Sequence, residues 1–234
     1  MQNRAYYDRF SQRYDHQRHH GYHALIDELE VDIALRHGRG ARVLEAGCGT
    51  GLILQRLRPH VRELCGVDLS AGMLRRASQR GLPVVQGSIT DLPFDDGRFD
   101  LVCSFKVLAH IESIERALAE LVRVTRSGGR LVLEFYNPYS FRYLVKRLKP
   151  ATAIAPDADD EAVYTRYDTL ASIQRALPQG VRIVDLRGVR VLTPVSQVFA
   201  LAPRLFRYLE WRACDAPLLR RLGGFLVVVL EKRA

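Results

Sequence analysis

The sequence is poor in the features that mark several common protein classes. Its 234 residues hold four cysteines, Cys48, Cys65, Cys103 and Cys214, with no C-x-x-C pair and no metal-ligand spacing among them. A disulfide framework and a cysteine-built zinc site are therefore not expected. Long apolar runs are missing too. The strongest, Phe225 to Leu230 (FLVVVL), is far short of the roughly 20 residues that a helix needs to span a bilayer. The N-terminal stretch MQNRAYYDRFSQRYDHQRHH is polar and aromatic and lacks the apolar core of a signal peptide. A reducing cytoplasm is the expected compartment. Lysine is scarce, with only Lys106, Lys146, Lys149 and Lys232 among 35 basic residues. No internal repeat or low-complexity tract stands out.

What is present is 47% apolar and 26% charged, as in an ordinary globular chain, and long enough for one sizeable α/β domain with a lid. The net charge of +9 permits attraction to nucleic acid or an anionic membrane, but an arginine-rich solvated surface is the simpler reading. Cys65 and Cys103 read as small core residues. His16, His19, His20 and His23 follow helical spacing only in part, with no acid or cysteine to complete a ligand set, so no metal is expected.

Along the chain, Leu25, Ile26, Leu29, Ile33 and Leu35 recur near helical spacing until GRG at Gly38 to Gly40. Strands and helices then alternate. ARVLEAG, ELCGVDL, Pro83 to Gly87, FDLVCSF and RLVLEFY read as strands. Between them GLILQRLRP, SAGMLRRASQRG with Ser70 as N-cap, and IESIERALAELVRVT closed by SGG at Ser127 to Gly129 read as helices. Nearly all-apolar strands separated by helices indicate a parallel sheet covered on both faces. Further on, Asn137 to Lys149 reads as a basic amphipathic helix with Pro138 at its first position, and Thr169 to Leu177 as a short helix. VRIVDLRGVRVL and FLVVVLEKR are the last two strands. Thr193 to Gly224, between them, is long enough for two helices and is expected to cap something.

The most informative stretch is VLEAGCGTG, Val43 to Gly51, a strand that runs into Gly47, Gly49 and Gly51. A P-loop would need a Gly-Lys-Ser/Thr ending, which is absent. A dinucleotide G-x-G-x-x-G would need glycine at 52, which is Leu52. Glu45 decides further: a carboxylate just ahead of the loop would repel a pyrophosphate and suit a ligand bringing positive charge. S-adenosyl-L-methionine, with an ammonium and a sulfonium and no phosphate, meets that condition. Asp68 ends the second strand 21 residues after Gly47, where an acid can accept from ribose hydroxyls.

The series VLEAGCGTG, GVDLS, QGSITDLPFDDGRFDLVCS and ELVRVTRSGGRLVLEF, covering about Ala41 to Phe135, closely resembles the class I S-adenosylmethionine-dependent methyltransferases. It looks most like the small-molecule branch that includes ubiquinone and menaquinone biosynthesis enzymes. The resemblance implies an α/β, Rossmann-like, seven-stranded sheet: five parallel strands, then an antiparallel final pair, with helices on both faces. It implies a single domain: residues 1–40 a helical lid, 41–135 the cofactor core, and 136–180 and 193–224 substrate caps. Gly47, Cys48 and Gly49 would pack against the methionyl and ribose parts of S-adenosyl-L-methionine, with Glu45 on the ammonium side. Asp68 would bind the ribose, Leu69 and Met73 the adenine face, and Ser88 and Ile89 the adenine edge. Many relatives have aspartate where Ser88 stands, so a weaker acceptor is expected there. Phe105 would border the methionine chain, and S-adenosylhomocysteine would be the product.

Methyl transfer chiefly needs an aligned nucleophile and exclusion of water, and an O or C acceptor must also lose a proton. His110, just past the fourth strand, is the expected base, with a loop-anchoring role as its alternative. Tyr6, Tyr7, Phe10, Tyr14 and Tyr22 read as a lid or as core packing, and Tyr6, Tyr14 and Tyr136 are the candidate substrate contacts. After the fourth strand the chain reads CSFKV rather than the Asn/Asp-Pro-Pro-Tyr of amino-methylating nucleic-acid enzymes, so no nucleic acid is expected. The basic, apolar caps suit a small hydrophobic, lipid-like or anionic acceptor, and are compatible with peripheral membrane contact. The competing readings are an RNA or protein methyltransferase and a non-catalytic binder of the same cofactor. Oligomeric state is not legible.

Overall fold

The computed structural model describes residues 21–148, 153–155, 158–159 and 164–233. Helix α1 (Gly21–Gly38) is followed by β1 (Arg42–Ala46), α2 (Leu52–Leu57), β2 (Glu63–Asp68), α3 (Ala71–Gln79) and β3 (Val84–Gln86). Then come β4 (Phe99–Ser104), α4 (Ile114–Val124), β5 (Thr125–Tyr136), α5 (Phe141–Leu148) and a two-strand ribbon of β6 (Ala153–Ala155) and β7 (Ala158–Asp159). Helix α6 (Leu170–Ala176), β8 (Val181–Val189), α7 (Ser196–Leu201), α8 (Pro203–Ala213) and β9 (Phe225–Lys232) complete the order.

Seven strands form one sheet in the order β3-β2-β1-β4-β5-β9-β8. The first five are mutually parallel, and β9 is antiparallel to both β5 and β8, as expected from the sequence. Because β9 opposes both neighbours, β8 runs in the direction of β5. Its C-terminal end therefore lies at the carboxyl edge of the parallel strands.

Alternation along each strand divides the core in two. Val43, Cys103, Val132, Val227 and Val229 join a cluster with α1, α2 and α3; Leu44, Val102, Leu131, Leu133 and Val228 join another with α4 and α6. Strands buried on both faces must be apolar at nearly every position, and β9 has six consecutive buried residues. Each such Val or Leu side chain is worth roughly 1.5–3 kcal/mol of burial. Helix α1 buries Leu25, Ile26, Leu29 and Ile33 on the sheet, so the described half of the N-terminal segment is core layer. Ser70 caps α3 by accepting the Met73 amide at 3.1 Å, worth about 1 kcal/mol.

Several boundaries differ from the sequence reading: β8 stops at Val189 and α4 starts at Ile114, and two further shifts have a local cause. Ser127 to Gly129 lie inside β5 rather than closing α4, which ends at Val124 as Thr125 turns extended. Pro138 is not the first residue of α5. The Asn137 carboxamide accepts the Tyr139 amide in an Asx turn, and Ser140 Oγ accepts the Tyr143 amide, so the helix begins at Phe141.

Candidate functional site

The strand order reverses between β1 and β4, and a cleft opens there at the carboxyl edge. It encloses about 160 Å³ between the glycine loop, the ends of β2 and β3, and the segment Phe105 to Ile111. Gly47 and Gly49 have φ of +79° and +54°, conformations that favour glycine. A Cβ on Gly47 would meet Val107 at 2.2 Å, whereas one on Gly49 would meet nothing within 4 Å. The loop is thus packed on one side and open on the other. Asp68 fixes it from the neighbouring strand: its carboxylate accepts Gly49 N at 2.9 Å and Ser70 N at 2.8 Å. These two amides hold the carboxylate at the wall of the cleft.

Behind the loop a chamber of about 30 Å³ is lined by Glu45, Asp27, Cys48 and Lys106. That is room for one water-sized polar group. Glu45 is buried, and its Oε2 has no hydrogen-bond partner among the described residues. Burial pushes its carboxyl well above the ordinary range, an effect that nearby Lys106 opposes. Lys106 gives its ammonium to Asp27 at 3.0 Å and Glu30 at 2.7 Å, and its backbone amide to Glu134 at 3.1 Å. Glu30 and Glu134 also lie near each other, and burial drives both carboxyls upward, Glu134 well above the ordinary range. Four acids around one lysine leave this end short of positive charge. An ammonium-bearing ligand fits it; a phosphate does not.

At the other end of the cleft Leu69 is exposed, Met73 and Ile89 are buried, and all three line it. Ser88 lines it too, but its hydroxyl already shares a hydrogen bond with Thr90 Oγ1 at 2.8 Å and accepts Thr90 N at 3.2 Å. Phe105 separates cleft from chamber. His110 lines the cleft, and its Nδ1 lies 2.9 Å from the Tyr164 carbonyl. A carbonyl only accepts, so Nδ1 carries the hydrogen and the lone pair of the neutral ring is on Nε2.

The His110 ring meets Tyr136 edge-on at 5.7 Å, and Tyr136 stacks on Phe225 at 4.8 Å. Burial, helped by Glu134, pushes the Tyr136 phenol up to about 12, so it is neutral at ordinary pH. Beyond Phe225 stand Arg190 and Arg142, their guanidinium carbons 5.3 and 5.5 Å from its centroid. Burial and then Arg142 hold Arg190 below its ordinary value. Among the described residues the non-glycines with positive φ are Lys106 (+61°) and Arg190 (+62°), each costing on the order of 1 kcal/mol.

The expected residues Glu45, Gly47, Cys48, Gly49, Asp68, Leu69, Met73, Ser88, Ile89, Phe105 and His110 thus border one cleft and its chamber, and Tyr136 stands one ring contact away. Tyr6, Tyr7, Phe10, Tyr14, His16, His19 and His20 lie outside the described residues. Among the described residues no group of three or more His, Cys, Asp or Glu could hold a metal. Sequence reasoning missed Asp27, Glu30, Lys106 and Glu134. The available signal was a charge inside an apolar run, as in LVLEFY.

Residues 44–133 match a family model described as a methyltransferase domain. Over 178 residues the chain is 37% identical to the demethylmenaquinone methyltransferase of Mycolicibacterium gilvum, covering 72% of this chain and 78% of that one. Over 152 residues it is 36% identical to the demethylmenaquinone methyltransferase of Mycobacterium tuberculosis, covering 62% and 63%. The chain therefore spans slightly less than two thirds of that relative's length. The fold also matches a crystal structure of an S-adenosylmethionine-dependent methyltransferase from Thermotoga maritima, described as a possible histamine N-methyltransferase. That match has a TM-score of 0.66 at 19% identity and covers 97% of this chain and 98% of that one. At that identity the likeness concerns the fold.

Proposed function

The chain belongs to the class I S-adenosylmethionine-dependent methyltransferase family, and on that footing we propose that it methylates an O, C or N atom of a small, hydrophobic or aromatic acceptor, of the quinone type named for its mycobacterial relatives. The observation that carries this reading is Glu45, a buried acid with an oxygen unpartnered among the described residues, beside a glycine loop that is open to the cleft. The cofactor, when bound, supplies a methyl group activated by a sulfonium and leaves as S-adenosylhomocysteine. This chain's residues do the rest. Glu45 neutralises the ammonium, and the backbone of Gly47, Cys48 and Gly49 lies along the methionyl and ribose parts. Asp68 accepts from the ribose hydroxyls; Leu69, Met73, Ser88 and Ile89 border the adenine, and Phe105 covers the methionine chain.

His110 is the proton acceptor in this reading, because its tautomer places a lone pair on Nε2 at the cleft. The same hydrogen bond also anchors residues 164–165 against the cleft. Residues 41–135 form the cofactor core. The part of residues 1–40 that precedes α1 (Tyr6 and Tyr14 with it), 136–180 (Tyr136 with them) and 193–224 close over the acceptor. No helix among the described residues is long and apolar enough to cross a membrane. Contact with a membrane surface is supported by the exposed Tyr139, Phe141 and Leu144 on and before basic α5, and by Leu201, Leu205 and Tyr208 on α7 and α8. We place the protein in the cytoplasm, in keeping with its free cysteines.

The test is tritiated methyl transfer from S-adenosylmethionine, with purified protein and a solvent-fractionated extract of the source organism. Counts should enter the organic phase; counts in RNA or protein overturn the acceptor class. His110→Ala should lower kcat by about 10²- to 10⁴-fold with S-adenosylhomocysteine affinity unchanged. An unchanged kcat leaves His110 an anchor only.

A further inference from the structure

Arg187 and Arg190 stand three residues apart and are both buried, yet they are treated differently. Arg187, fully buried, meets Asp215 with two guanidinium nitrogens at 2.8 and 2.7 Å and Asp32 at 2.8 Å. That is how a buried guanidinium is normally accommodated. Arg190 is only 9% exposed, and among the described residues no carboxylate reaches it. Its partners are neutral: the Tyr22 hydroxyl, the Pro194 carbonyl at 2.9 Å, and the faces of Tyr22 and Phe225.

A second cation lies beside it. Arg142, half-buried at the start of α5, packs over the same Phe225 ring, and among the described residues it has no ion pair or hydrogen bond. Gly224 is what lets the two approach: a Cβ there would meet Arg142 Cδ at 2.9 Å and Arg190 Cβ at 3.3 Å. The backbone also brings Arg190 in from the left-handed region, with φ of +62°. Two like charges have thus been gathered against one ring, at the carboxyl edge and two ring contacts from His110, with no counter-charge among the described residues. Like charges so placed repel until an anion separates them.

We infer that Arg142 and Arg190 bind the anionic group of the acceptor, a carboxylate or a group of equal charge and shape, while Tyr136 and Phe225 line the path of its aromatic body toward His110. Planar guanidiniums match a carboxylate with paired hydrogen bonds, and the rings suit a flat apolar skeleton. This rests on the methyltransferase reading above and adds that the acceptor is an acid.

The test uses 1-hydroxy-2-naphthoate and its methyl ester as probes, titrated by calorimetry into protein saturated with S-adenosylhomocysteine. The acid should bind at least about tenfold more tightly than the ester. Arg142→Gln, which removes a side chain that holds no hydrogen bond, should erase the difference by weakening the acid and not the ester. Arg190→Gln, scored only if its melting curve stays cooperative, should do the same. An ester that binds as well as the acid, undetectable binding of the acid, or a difference that survives both substitutions overturns the inference. The two readings fail separately. If methyl transfer is absent for every acceptor but the difference between acid and ester stands, the methyltransferase reading falls and the anion site remains. If transfer occurs with no preference for acids, only the anion site falls.

Discussion

Lys106 and Arg190 stand at the same edge of the sheet, each just past a strand, each a cation in the left-handed region. Their surroundings are opposite. Lys106 meets Asp27, Glu30 and Glu134, with Glu45 close by, whereas Arg190 meets two aromatic faces and a second arginine. The border between them is narrow. Glu134 and Tyr136 share one face of β5 two residues apart, about 7 Å along the strand, and one belongs to the acid end while the other stacks toward the arginines. One backbone device has been given two electrostatic settings. The site is therefore a dipole, negative behind the glycine loop and positive beyond Tyr136. On the two proposals above, it would orient a ligand pair that presents a cation to one end and an anion to the other.

The comparison breaks most directly at Glu45. Glu45→Gln keeps the shape and removes the charge that Glu45 can take on beside a bound ammonium. Affinity for S-adenosylhomocysteine, by calorimetry, should fall by about 100-fold, near 3 kcal/mol. A fall of less than threefold would show that the acid end is not what selects the cofactor.

Glu134→Gln sharpens the contrast through pH. The folded Glu134 binds its proton above the ordinary value of 4.5, so the folded chain holds a proton that the unfolded chain has lost. The parent's stability from this group is complete below that value and is lost as pH rises toward the folded one. The variant's melting temperature should therefore gain on the parent's by a few degrees as pH rises above 4.5. A gap independent of pH would mean that folding does not raise the Glu134 carboxyl.

The smallest effect is expected at the neutral end of the cleft. Ser88→Asp supplies a carboxylate where the hydroxyl is already engaged by Thr90. Cofactor affinity should tighten by roughly fivefold, near 1 kcal/mol. Unchanged or weaker binding would show that residue 88 does not read the adenine edge.

The acid end was half legible in the sequence and the basic end was not. Glu45 could be read because the glycine loop beside it is a contiguous pattern, and Asp68 because it follows at a fixed interval. The sheet was legible because doubly buried strands must be continuous apolar runs. Asp27 and Glu30 were hidden in a helix whose apolar spacing looked complete without them. Lys106 meets them across 79 and 76 residues of chain, a contact set by topology rather than by any local pattern. Arg142 and Arg190 were two among many arginines, and what distinguishes them is the absence of a counter-charge, which only packing shows. Pro138 misled because a proline before a helix pattern suits its first turn, while Asn137 and Ser140 fixed a later start.

The place of β9 between β5 and β8 has a consequence for how the protein is made. During synthesis β8 emerges before the strand that will hold it, and it waits through residues 190–224 for a partner. The five strands that frame the glycine loop all end by Tyr136. Arg142, Arg190 and Gly224 come from three segments that meet only when β9 slides into the gap. Every residue of the acidic half is therefore synthesised before Gly224, the last piece of the basic half. The last strand to form is the one that closes the second half of the site.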